Sequence, residues 1–486
     1  MKKMILLILI LAISGCGRFP DFPDKPIRVN LGPENQYVFV YDVDDNGESD
    51  YLQIMNAQGR KNVLLFTGDS PLTVYLDQIA GEDVPHFVIA MDGVPYPLVK
   101  ELYDQGYFRL FYAPSKVVTT FPGMTDLAFQ KLLGGRKPKA YQACHFDRKK
   151  NRIDSGNGSY LSGDAADWSN KLAYRSPFIL DPLAYLQPDM MLKSNLKGIV
   201  SAFRKEKGND LRIAYSVATA AKGTDGGREA ILDYLRVVDQ ICEQIVHERQ
   251  GKVKITLLAD HGHNMAGRKR ITFDTLLKEY GYNLTDSLKD TRDVVTIQYG
   301  LVTYASFFTN DPAGVAKALV HEPAVETVSY RFENKSVVVQ TLDGKAVIRK
   351  SGDNYRYDIE YGDPLGYKDI IAKLKEQGKV DANGVINDRA MLTATIDHPY
   401  PDALKRIWCS FYELVEMPPD VVADIKGGYV HGSKLFSIAI SNATSTHGGL
   451  DNLNSVTFSM TMLGELPGVM RLEDEMEILD KLRKGK

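Results

Sequence analysis

The chain has 486 residues, of which 44% are hydrophobic and 25% charged, enough to fill the core of one large α/β domain with an accessory part. Lys and Arg number 59 against 62 Asp and Glu, a net charge of −3, so there is no basic excess to neutralise phosphates and a nucleic-acid partner is not expected. Four cysteines in a chain of this length exclude a disulfide framework.

Lys2 and Lys3, an apolar run over residues 4–13 and then Ser14-Gly15-Cys16 have the pattern of a bacterial lipoprotein export signal, although Ile13 stands where Leu is more usual. The expectation is a signal peptide over residues 1–15, removed on export, and a diacylglyceryl group on Cys16 anchoring an extracytoplasmic protein to a membrane, the outer one where the cell has two. The apolar run is too short to span a bilayer as a helix. Once Cys16 carries lipid, Cys144, Cys242 and Cys409 allow at most one internal disulfide. Residues 16–30, with Pro20, Pro23 and Pro26, read as a tether.

Residues 31–80 read as a β segment. Between expected strands at 37–41 and 51–55, Asp42, Asp44, Asn46 and Asp50 alternate, with Gly47 for the turn, in the spacing of a calcium loop. Gln53 stands where an EF-hand would place Glu, and the motif occurs once; the simpler alternative is a polar hairpin turn.

The next apolar run, residues 87–91, delivers Asp92 and Gly93 at its end, where an open α/β sheet presents ligand-binding groups. A helix over 97–105, a strand over 107–112 and a helix over 125–133 are expected to follow. Thr119 and Thr120 precede Phe121, Pro122 and Gly123, so a hydroxyl sits at a junction between elements. A threonine hydroxyl is a poor nucleophile unless a base or a metal activates it. No acid or His is its neighbour in sequence, and a metal held by Asp92 would meet that need.

Residues 136–195 are polar and Gly-rich and read as a surface excursion near the site mouth, with His145 and Asp147 as surface residues. A strand over 211–217 precedes a helix over 228–249, whose Ile231, Leu235, Val238, Cys242 and Ile245 share a face. Residues 255–259 form another buried-type strand ending in Asp260 and His261, oxygen and nitrogen donors suited to zinc or a similar ion. Residues 291–385, with alternating patterns and an Asp343-Gly344 turn, read as a β-rich subdomain inserted between 81–290 and 386–486. His447 follows in a Gly-flanked loop, and the charged tail from 471 to 486 reads as a terminal helix.

Four short motifs in this order, Asp92-Gly93, Thr120-Phe121-Pro122, Asp260-His261-Gly262 and His447-Gly448-Gly449, make residues 85–470 resemble the alkaline phosphatase superfamily, and within it the nucleotide pyrophosphatase/phosphodiesterase branch. The resemblance implies an α/β fold, a sheet sandwiched by helices, and a metal-dependent hydrolase of small phosphoesters. It implies Thr120 as nucleophile, with Asp92, Thr120, Asp260 and His261 around one zinc-class ion and His447 at a second. Two of the family's ligands to that second ion are missing: Ala220, or its neighbour Thr219, stands at the Asp position and Thr224 at the His position. Lys222 or Asp225 are the neighbouring residues able to compensate, and His263 and His398 match no family ligand. Gly123 replaces an Asn that helps hold the phosphoryl group. Because of these departures, a catalytically inactive binding lipoprotein is the alternative reading.

Overall fold

The computed structural model describes residues 79–484 except 157, 159–165, 207, 268 and 441–443, together with five strands between residues 27 and 75. The expected signal segment, Cys16, the tether around its prolines and the loop carrying Asp42, Asp44, Asn46 and Asp50 lie outside the described residues. The five strands, Ile27–Asn30, Tyr37–Tyr41, Tyr51–Met55, Asn62–Thr67 and Ser70–Tyr75, pair antiparallel in sequence order. Tyr41 pairs with Tyr51, so the two strands expected to flank the polar loop form a hairpin at the expected bounds.

A mixed sheet positions the site. Its strands are β1 (His86–Met91), β2 (Ser115–Val118), β3 (Leu211–Ser216), β4 (Lys254–Ala259), β5 (Val456–Thr461) and β6 (Val469–Arg471), in the spatial order β3-β1-β4-β5-β2-β6. Only β5 runs against its neighbours. Both faces are covered, which is why β1 is apolar at every position after His86. Phe87, Ile89 and Met91 pack with α1 (Tyr96–Asp104), α3 (Pro188–Lys205) and α4 (Ala218–Glu248), the last broken at Gly227, whose φ is 62°. Val88 and Ala90 pack on the opposite side with α2 (Thr125–Leu133) and α5 (Leu472–Arg483). The α/β sandwich and its helices therefore match the sequence expectation.

Three features differ from it. Residues 107–112 form a turn, not a strand: Phe108 takes a φ of 58°, and Phe108, Leu110 and Phe111 are all buried, an apolar plug whose alternation mimics a strand. His145 and Asp147 are buried in a small hairpin, Asp147 accepting from the backbone N–H groups of Lys149 and Lys150. The β-rich part is an eight-stranded sheet, and it takes the strand Val421–Ile425 from beyond residue 385, inserted between Tyr304–Thr309 and Val325–Phe332. The 291–385 boundary is therefore too short, because strand pairing across about 100 residues leaves no local signal. Cys144, Cys242 and Cys409 are free. No described helix is long and apolar enough to cross a membrane.

Candidate metal centre and cavity

The register of the sheet assembles the centre. His86 lies opposite both Leu211 and Lys254, and Met91 opposite both Ser216 and Ala259, so β1, β3 and β4 end in line. Asp92 and Asp260 are the next residues out, and their backbone N–H groups still donate to Ser216 O at 3.1 Å and Met91 O at 3.4 Å. Gly93 turns the chain away with a φ of 67° and donates its N–H to Asp260 Oδ1 at 3.1 Å. Gly262 passes so close to the 453–454 backbone that a Cβ there would lie 1.8 Å from Leu453 O. A larger residue would push His261 off the sheet edge.

Asp92, Asp260 and His261 are buried, and each offers one ligand atom within 4.8 Å of the others. Asp92 Oδ1, Asp260 Oδ2 and His261 Nε2 have no hydrogen-bond partner among the described residues, while each group's other polar atom is engaged. Tyr215 donates its hydroxyl to Asp92 Oδ2 at 2.7 Å, and His261 Nδ1 donates to Gly262 O at 2.9 Å. A carbonyl only accepts, so Nδ1 carries the proton and the lone pair of Nε2 points at the two carboxylates, 3.3 Å from Asp92 Oδ1 and 3.5 Å from Asp260 Oδ2. Burial and the Asp260 charge drive the Asp92 carboxyl well above its usual pKa; burial raises Asp260 to about 6 and lowers His261 to about 4. Two carboxylates and a neutral imidazole facing one another call for a cation, and their oxygen and nitrogen donors fit a divalent metal.

Thr125, the first residue of α2, lines the cavity over this cluster together with Asp92, close enough to the Asp260 carboxylate to hold its pKa down against burial. Thr120 does not. Its hydroxyl donates to Pro122 O at 2.8 Å in a local turn, and it lines a separate hollow with Lys131, Asp402 and Arg406. The hydroxyl of Thr119 donates to Asp260 O at 2.6 Å and pins the end of β4. The Phe-Pro pair that resembles the family motif thus leaves Thr120 in a local turn, and Thr125, which the sequence reading did not single out, is the hydroxyl at the start of α2 after Gly123 and Met124. The signal available in the sequence was a threonine at the first position of an expected helix, where unbonded backbone N–H groups favour an anion.

A cavity of about 390 Å³ opens over the centre. At its polar end lie Asp92, Thr125, Arg175, Tyr215, Thr224 and His447; Tyr141, Phe178, Tyr185, Tyr299, Phe436 and Ile440 form an apolar and aromatic wall. His447 stacks on His261 with ring centroids 4.2 Å apart, and its Nδ1 donates to Gly123 O at 2.9 Å, leaving Nε2 as an acceptor. Burial and the neighbouring His261 lower its pKa to about 3. His263 stacks obliquely against His447 at 5.8 Å and bonds Ser445, with Nε2 lacking a partner among the described residues. His398 lies elsewhere, accepting from the Tyr400 N–H at 3.1 Å beside Tyr367.

Neither expected compensating residue reaches the cavity. Lys222 points to Asp189 at 2.7 Å, and Asp225 is exposed. Ala220 and Thr224 are buried in this first part of α4, and Thr224 lines the cavity. Arg175, from the excursion that carried no recognisable motif, is the cation that enters.

Comparison with protein-family models finds no match, and comparison with curated proteins finds none either. Among solved structures, human ectonucleotide pyrophosphatase/phosphodiesterase 5 is similar at 10% identity and a TM-score of 0.44, covering 82% of this chain and 94% of its own. Phosphonoacetate hydrolase from Sinorhizobium meliloti 1021, in complex with phosphonoacetate, is similar at 11% identity and a TM-score of 0.43, covering 87% and 100%. Murine ectonucleotide pyrophosphatase/phosphodiesterase 5 is similar at 12% identity and a TM-score of 0.42, covering 82% and 95%.

Proposed function

We propose that this chain is a metal-dependent phosphoester hydrolase with Thr125 as its nucleophile, working outside the cytoplasm on a lipid anchor at Cys16. The observation that carries the catalytic reading is that Thr125 lines the same cavity as Asp92, one of three buried residues whose facing ligand atoms lack partners among the described residues. A zinc-class ion held by Asp92, Asp260 and His261 would supply the charge that lowers the pKa of a nearby hydroxyl and neutralises phosphoryl oxygens. Tyr215 and the Gly93 and His261 backbone N–H groups fix the two carboxylates, so the ligand atoms are held without reorganisation. Thr125 Oγ1 forms a bond to phosphorus as the bond to the departing alcohol breaks, and that alcohol takes up the proton that the threonine loses. Backbone N–H groups at the start of α2 face the phosphoryl oxygens. Water then cleaves the phosphothreonine, returning the hydroxyl and releasing phosphate or a phosphomonoester. The aromatic wall accommodates the alcohol portion.

The test pairs two threonine substitutions on zinc-loaded protein offered aryl phosphomonoesters and phosphodiesters. Thr125→Ala is expected to lower turnover by about 10³-fold or more. Thr120→Ala is expected to leave turnover within a few-fold and cost about 1 kcal/mol of stability through its lost hydrogen bond. Acid-quench mass spectrometry should find the phosphoryl group on the peptide carrying Thr125. Equal turnover by the parent and Thr125→Ala would sink the nucleophile assignment.

A further inference from the structure

We propose that Arg175 grips a phosphoryl oxygen of the substrate and takes the place of a second metal ion in this cavity. The inference rests on the phosphoester reading and deepens it by naming the group that holds the anion.

Arg175 is held, but not used up. Its Nη2 donates to Asp181 at 2.9 Å, and the guanidinium stacks on Phe178 with Cζ 3.2 Å from the ring centroid. Its side chain is 10% exposed, and Nε and Nη1 have no hydrogen-bond partner among the described residues. Leaving two donors of a buried guanidinium unbonded costs free energy unless something arrives to accept from them. Cζ lies 5.9 Å from the ring of Tyr215, whose hydroxyl is bonded to Asp92, so the positive charge stands beside the metal centre within one cavity.

The start of α4, where Thr224 lines the cavity and Ala220 packs beside Gly93, supplies it no charge of its own. Ala220 and Thr224 offer no carboxylate and no imidazole, and Lys222 is turned to Asp189. Among the described residues that line the cavity, His447 is left as the one imidazole on that side. A phosphoryl group carried on Thr125 would have an oxygen on this side whose charge nothing else in the described lining meets. A guanidinium matches it with parallel N–H donors in fixed geometry, a fit that an ammonium reproduces only as a point charge.

The probes are zinc and inorganic phosphate, read by elemental analysis and by calorimetric titration, so no turnover is required. The parent is expected to hold one equivalent of zinc and to bind phosphate competitively with any substrate. Arg175→Ala is expected to keep that equivalent while weakening phosphate binding about ten- to a hundredfold. Arg175→Lys should recover part of the loss, and added methylguanidinium should recover part of it in Arg175→Ala. Thermal melts establish that each variant is folded; because Arg175→Ala also removes the Asp181 ion pair, Arg175→Lys carries the test if the alanine variant melts early. Unchanged phosphate affinity in a folded variant would overturn the proposal. So would a second equivalent of zinc in the parent, or absence of phosphate binding at millimolar concentration. A parent that hydrolyses nothing, yet loses phosphate on Arg175→Ala, would defeat the hydrolase reading and leave Arg175 as the anion-binding group.

Discussion

One end of the cavity is built on the sheet and the other on the start of α4 and a loop, and the two ends obtain their chemistry differently. Asp92 and Asp260 sit one residue beyond strands that finish in register, so backbone pairing fixes their separation before any side chain is placed. At the start of α4, the positions that the family resemblance assigns to a second ion carry Ala220 and Thr224, while a cation in the described lining comes from Arg175, in the short loop before Phe178–Leu180. A ligand set resting on strand ends tolerates little change, since each donor depends on the register. A charge delivered by a long side chain from a loop needs only reach and an anchor, and Asp181 with Phe178 provides the anchor.

The largest break in this comparison is expected from the sheet end. Asp260→Asn should lower zinc affinity by more than about a hundredfold, measured by competition with a chromophoric chelator, because it removes a ligand charge from the cluster. The same substitution should raise the melting temperature of the metal-free protein by several degrees, since a buried carboxylate repelled by Asp92 is replaced by a neutral amide. Loss of zinc without that gain would mean that the Asp260→Asn change disturbs the β4 end itself.

The loop end can be sharpened by giving it what it lacks. The double substitution Ala220→Asp with Thr224→His should raise bound zinc from one equivalent to two, with His447 as the third ligand, and should make phosphate binding several-fold less sensitive to Arg175→Ala. Elemental analysis and titration read both effects. Continued binding of a single equivalent would show that the start of α4 cannot present ligands beside His447.

A smaller effect separates carboxylates that await a cation from one that does not. Glu475 is fully buried on α5 against the sheet, with the Ser459 hydroxyl as its polar neighbour, and burial raises its pKa to about 8. The folded state therefore holds a proton that the unfolded state releases at about 4.5. Its contribution is intact below that pH and is lost as pH rises to about 8, so stability falls across this window. Glu475→Gln should leave the melting temperature almost unchanged at about pH 4.5 and raise it by several degrees at about pH 8.5, and zinc should not alter the difference. A pH-independent shift would place the proton elsewhere.

Much of the fold was legible because its core strands are short, apolar and bounded by polar residues: the expected strands at 87–91, 211–217 and 255–259 differ from the observed ones by a residue at an end. The Asp92, Asp260 and His261 positions at strand ends were legible for the same reason. The turn at 107–112 was not, because buried alternation in a plug resembles a strand, and the eight-stranded sheet was not, because Val421–Ile425 pairs with residues far away in sequence. Thr120 and Thr125 show the limit most clearly. Both are hydroxyls near a helix start, and which one lines the cavity with Asp92 depends on the path of Pro122 to Met124. Arg175 had no sequence signal at all, since a lone Arg among Ser and Pro is ordinary on a surface. By itself the sequence determined the strand ends and the donors they carry, because strand period and burial act locally. Only the tertiary structure decided which threonine, which turn face and which cation share the cavity, because those depend on the packing of separate loops over a common sheet edge.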